Sequence, residues 1–253
     1  MNIKNQIKTE LYKVLHSSLV WIHIAVPLSV MGLFLVYYRF SGWSEPGKVV
    51  GYLQVLSIGY PVMIALIMTI VSDSEMRAGH CQFMLMQPCH KSIVHLVKLS
   101  VLLACGLLSS LLAVLGFGVV FFLMGNSVFS VSFFARSALL LFGGNVALYV
   151  IGYLVSFQFS GARGVGIGLG IVGGLVSALM QTGLGDTVWY YVPYGIALRW
   201  CSLHALGQVG DLSPALCTDV VKSVIFMLVS GLFLFVFLIF WGNAWEADAA
   251  GEE

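Results

Sequence analysis

Six apolar runs, each near the ~20 residues that cross about 30 Å of hydrocarbon, alternate with shorter polar segments along this chain. They fall at Ser18–Tyr38, Val49–Val71, Leu99–Met124, Ser137–Phe157, Gly164–Leu184 and Val221–Trp241. Leu99–Met124 exceeds the crossing length, which predicts tilt or protrusion. The pattern predicts an all-α polytopic membrane protein with six transmembrane helices over 18–241 and a short tail at 242–253. Ahead of the first run, in residues 1–17, Ile3, Ile7, Leu11, Val14 and Leu15 share one helical face, with Lys4, Lys8 and Lys13 elsewhere on the wheel. That suits an amphipathic N-terminal helix at the membrane interface; a plain polar lead-in to the first span is the alternative, and the pattern leaves both open. The first run has span length and no small-residue cleavage site, so it does not read as a signal peptide.

Two polar interruptions stand out. In 72–98, Ser72 and Glu75 have capping-box spacing, which predicts a helix start. A helix opened there runs to Gln87, because Pro88 lacks an N–H and restricts the residue before it. A second helix begins near Lys91, with Lys91, His95 and Lys98 at i, i+4, i+7 as a basic stripe. The other interruption, 185–219, is an outer loop that opens with Trp189, Tyr190, Tyr191, Pro193 and Tyr194. Those aromatics read either as a membrane-interface belt or as a platform that meets an amphiphile.

Composition narrows the class. The chain of 253 residues is 59% hydrophobic and 9% charged, against about 25% charged for soluble domains. A net charge of +1 without like-charge blocks offers nothing to grip nucleic acid. With the N-terminus inside, Lys4, Lys8, Lys13, Arg77, Lys91, Lys98 and Arg163 are cytoplasmic, while Arg39, Lys48, Arg136, Arg199 and Lys222 lie outside or at the outer boundary. The positive-inside rule then predicts a cell-membrane protein with both termini, and the 72–98 loop, in the cytoplasm.

Chemistry motifs are scarce. There is no GxxxxGK[ST], so this chain has no P-loop of its own, and no HExxH or GxSxG. His80, Cys81, Cys89, His90 and His95 cluster without zinc-ligand spacing, so no metal is expected. Cys201 and Cys217 share the outer loop and could form a disulfide, but five cysteines argue against a disulfide framework. Gly168-Leu-Gly170-Ile-Val-Gly173 matches GxGxxG in letters but lacks any βαβ context. The overlapping pairs Gly164/Gly168, Gly166/Gly170 and Gly170/Gly174 fit close helix approach in lipid better. None of the acidic residues falls mid-span; His23 is the clearest ionisable group there, beside the polar Asn145 and Gln181. A proton- or ion-coupled carrier needs buried charge along its path, so the energy source is expected in another subunit.

The 72–98 loop resembles the cytoplasmic loop of type-2 ABC exporter permeases. The resemblance rests on Glu75-Met76-Arg77-Ala78-Gly79, then Gln82, Met84-Leu85, Pro88, Lys91 and Lys98 at the span entrance. His80 and the Cys89-His90 pair depart from the family's usual residues. The resemblance implies that the loop is a coupling helix docking on an ATPase, with Asp73, Glu75, Met76, Arg77, Gly79, Gln82, Phe83, Met84, Pro88 and Lys91 as contacts. It further implies a P-loop ATPase partner, as a dimer holding ATP and magnesium, and a second six-span permease or another copy of this chain. This chain itself would hold no cofactor and catalyse nothing.

In size, and in the stretch Tyr191-Val192-Pro193-Tyr194, the chain is similar to the lantibiotic self-protection permeases. That implies removal of cationic antimicrobial peptides from the membrane, with Trp189, Tyr190, Tyr191 and Tyr194 as substrate contacts. An exporter of a drug, lipid or polysaccharide, a stand-alone carrier or channel, and a membrane scaffold remain the alternatives.

Overall fold

The computed structural model describes residues 3–86, 90–126, 128–160, 162–210 and 212–245. The expectations placed on Gln87, Pro88, Cys89, the side chain of Phe83 and the tail beyond Trp245 lie outside the described residues. Among the described residues the chain is all-helical. Five stretches are long and apolar enough to cross a membrane: α2 (Ser18–Phe40), α3 (Glu45–Arg77), α5 (Lys91–Leu123), the pair α6 (Val131–Gly143) and α7 (Val146–Gln158), and α10 (Pro214–Ala244). The fifth expected span is the shorter α8 (Arg163–Leu179), and α1 (Ile3–Leu15) precedes them all.

Local chemistry sets the ends. Ser17, Ser44, Ser130 and Ser213 accept from backbone N–H groups at the starts of α2, α3, α6 and α10, satisfying donors that have no partner within the helix. Pro46 and Pro214 sit in first turns, where a missing N–H costs nothing. Gly125, at φ +92°, turns the chain after α5.

Three expectations are corrected. First, no helix starts at Ser72. Helix α3 continues through it to Arg77, and the Ser72 hydroxyl donates to Ser156 O at 2.7 Å. The chain then turns through Gly79, His80 and Cys81, all at positive φ, into the one-turn helix α4 (Gln82–Leu85); the continuous helix expected up to Gln87 is absent. Second, the run Ser137–Phe157 lies within one membrane-long stretch, Val131–Gln158, as expected, but as two helices broken at Gly144–Asn145 rather than one. A Cβ at Gly144 would come within 2.6 Å of Ala197 Cα, and Asn145 turns its side-chain amide back onto Leu141 O at 2.7 Å. Third, the outer loop 185–219 is not a loop throughout. It holds a 3₁₀ turn (Trp189–Tyr191) and α9 (Pro193–Val209), whose Ile196, Ala197, Leu198 and Cys201 are buried. Cys201 and Cys217 are both free thiols, the first buried and the second exposed, so they form no disulfide.

Two apolar cores run through the bundle. One gathers Met68, Val71, Cys81, Met84, Val94, Leu102, Tyr153 and Phe157 near the α3–α5 turn. The other gathers Tyr38, Tyr52, Phe117, Phe133, Phe134 and Leu141 at the opposite ends of the same helices. Helix α8 lies along α3, α2 leans on α5, and α10 touches α5 and α7. Gly166, Gly170 and Gly174 give α8 its seat on α3: a Cβ on Gly170 would fall 2.4 Å from Ala65 Cβ. Gly164 and Gly168 face open space.

Candidate functional site

At the end of the bundle where α3 turns towards α5, four charged side chains from three helices meet. Lys98 Nζ of α5 lies 2.5 Å from Glu10 Oε2 of α1 and 2.6 Å from Glu75 Oε1 of α3. Lys13 Nζ closes the figure at 3.1 Å from Glu10 Oε1 and 3.0 Å from Glu75 Oε1. Two carboxylates face two ammonium groups, so the group is neutral as a whole. Lys98, Glu10 and Glu75 side chains are only 3–7% exposed, whereas Lys13 is 41% exposed. Burial works against the Lys13 ammonium, but Glu10 and Glu75 outweigh it and raise its pKa above the usual lysine value. Buried charges persist only when paired in this way.

The segment of α1 is built to reach this place. Gln6, Glu10 and Val14 are buried against the bundle, while Ile3, Ile7, Leu11 and Leu15 are turned outward. A helix with a polar inner face and an apolar outer one suits a position between protein and lipid. On the other side of α5, His95 Nδ1 is 2.8 Å from Tyr153 OH, and its ring meets Phe157, Trp241 and Trp245 edge-on. Lys91 Nζ donates to Trp245 O at 3.3 Å. The first two turns of α5 are therefore gripped by α1 and α3 on one flank and by α7 and α10 on the other.

The turn itself is capped and strained. His80 N donates to Met76 O, Cys81 N to Glu75 O and Gln82 N to Gly79 O. Gly79 adopts φ +117°, which any L side chain would resist; this gives Gly79 of the Glu75-x-x-x-Gly79 pattern a backbone reason. Cys81 is buried with Sγ 3.6 Å from Met76 Sδ, and burial pushes its thiol up to about 11.

The expected contact residues therefore divide. Arg77 and Gln82 are exposed, as are His80 and Met86 beside them, Met86 at 70%. Asp73 is half-buried and pairs with Arg163 Nε at 2.6 Å, tying α3 to the start of α8. Glu75 and Met84 are buried, and Lys91 is spent on α10. The basic stripe Lys91, His95, Lys98 is likewise no surface, since His95 and Lys98 are both buried. Glu10 and Lys13 were missed as site residues. Their signal was that Glu10 is the only acidic residue within 1–17. Among the described residues no metal-binding cluster forms.

At the far end the four aromatics also separate. Trp189 is buried to 1% between α9 and α10, Tyr190 lies under Lys222 Nζ at 4.9 Å, and Tyr194 fills the space over Gly173. Only Tyr191 among them is exposed, next to Phe226 of α10.

A long-helix bundle with a charged junction at one end defines a multi-pass membrane protein. The family described as ABC-2 family transporter protein matches residues 6–177, from within α1 almost to the end of α8. The chain belongs to that family and is the membrane component of an ABC transporter, whose ATPase is a separate subunit. All four residues of the charged junction lie inside the match; the aromatic segment at 189–194 lies beyond it. No curated protein matches the chain.

Proposed function

We propose that this chain is a permease subunit of an ATP-driven exporter that removes lantibiotic-type antimicrobial peptides from the membrane, for self-immunity or resistance. It crosses six times, counting α8, with both termini and the α3–α5 turn in the cytoplasm. There the exposed Arg77, His80, Gln82 and Met86 meet the ATPase dimer, which holds ATP and magnesium. A second six-span permease, or another copy of this chain, completes the pair.

The observation that carries the reading is the buried junction of Glu10, Lys13, Glu75 and Lys98 directly behind that turn. A push on the turn moves the end of α3, and short ion pairs pass the motion to α1 and α5 together. Glu75 thus acts from inside, joining helices rather than touching the ATPase, and an arginine there would place three cations together and break the junction. What supports a peptide cargo is Tyr191, presented outward beside α10, with Trp189 and Tyr190 holding it in place.

The test is protection. Cells expressing the full transporter should tolerate several-fold more of a cationic lantibiotic than cells lacking this chain, with no change for an uncharged drug. Equal tolerance of the peptide with and without the chain, in cells where the complex assembles, would refute the cargo.

A further inference from the structure

At the end of the bundle away from the α3–α5 turn, two cations share a cleft that holds no anion. Arg39 stands in the last turn of α2 and Lys48 in the first turn of α3. Both line a space of about 560 Å³, together with Met124 and Asn126 just past α5. Leu35 and Val36 of α2 give the same space an apolar wall.

The charges here are largely unspent. Among the described residues neither cation forms an ion pair. Lys48 Nζ donates to Tyr38 O at 3.0 Å, which leaves two of its three N–H groups free. Arg39 is exposed. The acid nearest to them along the chain, Glu45, accepts from Val128 N at 3.4 Å instead. Asn126 Nδ2 donates to Phe121 O at 3.1 Å and has a second N–H to offer. No carboxylate lines the cleft.

Its surroundings select the anion. Leu33, Val36 and Phe40 on α2 and Phe122 and Leu123 on α5 are all exposed. The spans that carry them end here, so the cations stand at headgroup level and the apolar wall runs back towards hydrocarbon. A soluble anion would gain nothing from Leu35 and Val36. A phospholipid satisfies both halves, with its phosphate at Arg39 and Lys48 and its acyl chains along α2. Basic pockets between membrane helices hold anionic headgroups in this way, and the arginine fork matches two phosphate oxygens. A zwitterionic lipid is disfavoured, because the same two cations repel its ammonium group.

We infer that the cleft lined by Arg39 and Lys48 binds one anionic phospholipid through its phosphate. The site rests on neither the cargo nor the orientation proposed above.

The test titrates the full chain in mild detergent with phosphatidylglycerol and with phosphatidylcholine of the same acyl chains, and counts bound lipid by native mass spectrometry. Expected is one saturable phosphatidylglycerol, held about tenfold or more tightly than phosphatidylcholine. Arg39→Gln and Lys48→Gln should each weaken it about fivefold, and the double variant roughly 25-fold. Arg39→Gln changes only an exposed side chain, so it reads the site even where Lys48→Gln disturbs the join between α2 and α3. Arg136→Gln removes the same charge from an exposed arginine outside the cleft and should leave the affinity within about twofold. Glycerol phosphate, which has the charge without the acyl chains, should not displace the lipid at equimolar amounts. Equal affinity for the two lipids, displacement by equimolar glycerol phosphate, or a loss in Arg136→Gln as large as in Arg39→Gln would overturn the inference.

Discussion

Replacing Lys98 by methionine keeps the length of the side chain and removes one charge from the junction. Its ammonium holds Glu10 Oε2 at 2.5 Å and Glu75 Oε1 at 2.6 Å with only 4% of the side chain exposed. Lys13 would remain 3.0–3.1 Å from one oxygen of each carboxylate, but two buried negative charges would then share one half-exposed cation. Removing one partner of a buried pair costs about 3–5 kcal/mol. At ~2–4 °C per kcal/mol for a chain of this size, Lys98→Met should lower the melting temperature of the purified chain by roughly 6–20 °C. Lys13→Met should cost about 1 kcal/mol or less, because that pairing is open to solvent. Neutralising the carboxylates as well, in Lys98→Met with Glu10→Gln and Glu75→Gln, should recover most of the loss, since an uncharged core replaces an uncompensated one. Thermal melts followed by fluorescence-detected size-exclusion read all three. A Lys98→Met chain melting within about 2 °C of the parent, or a triple variant whose losses simply add, would refute the reasoning.

Other outcomes test other parts of the structure. Gly170→Leu should cost about 1–3 kcal/mol by forcing α8 off α3, whereas Gly168→Leu, facing open space, should be tolerated; melts again decide. Gly79→Ala, forced to φ +117°, should cost about 1–2 kcal/mol and lower the yield of assembled transporter. Trp189→Ala should destabilise the chain by about 3–5 kcal/mol, while Tyr191→Ala should leave melting within ~0.5 kcal/mol yet reduce protection against peptide. In a Cys89→Ser background, an impermeant maleimide added to intact cells should label exposed Cys217 if that end of α10 faces outward, and should leave buried Cys81 and Cys201 unmodified.

Five of the six expected spans were legible because crossing a bilayer demands some twenty apolar residues in a row, a constraint visible without any tertiary information. What tertiary packing decides was not legible. Pro193–Val209 mixes Arg199, Ser202, His204 and Gln208 with apolar residues, so nothing in its composition announced a buried helix; contacts with α3 and α6 bury it. Ser72 and Glu75 had the spacing of a helix start, but each spends its side chain on another helix, and α3 runs on until Gly79 turns the chain. The apolar run 137–157 hid the break at Gly144, which exists because Ala197 approaches there. Within the junction, Glu75 and Lys98 stood in the segment that drew attention first. Their partners Glu10 and Lys13 lie more than sixty residues away, and pairing across that distance is set by the fold alone.

The turn between α3 and α5 is the proposed docking point of the separate ATPase. The direct measurement places a photo-crosslinking amino acid at exposed Gln82 in the full chain, irradiates native cells, and identifies the adduct after affinity purification, with Leu228 on the outward face of α10 as control. A P-loop ATPase should be captured from Gln82 and not from Leu228. A chain that purifies without an ATPase, or an intact complex in which Gln82 captures none, would contradict that docking.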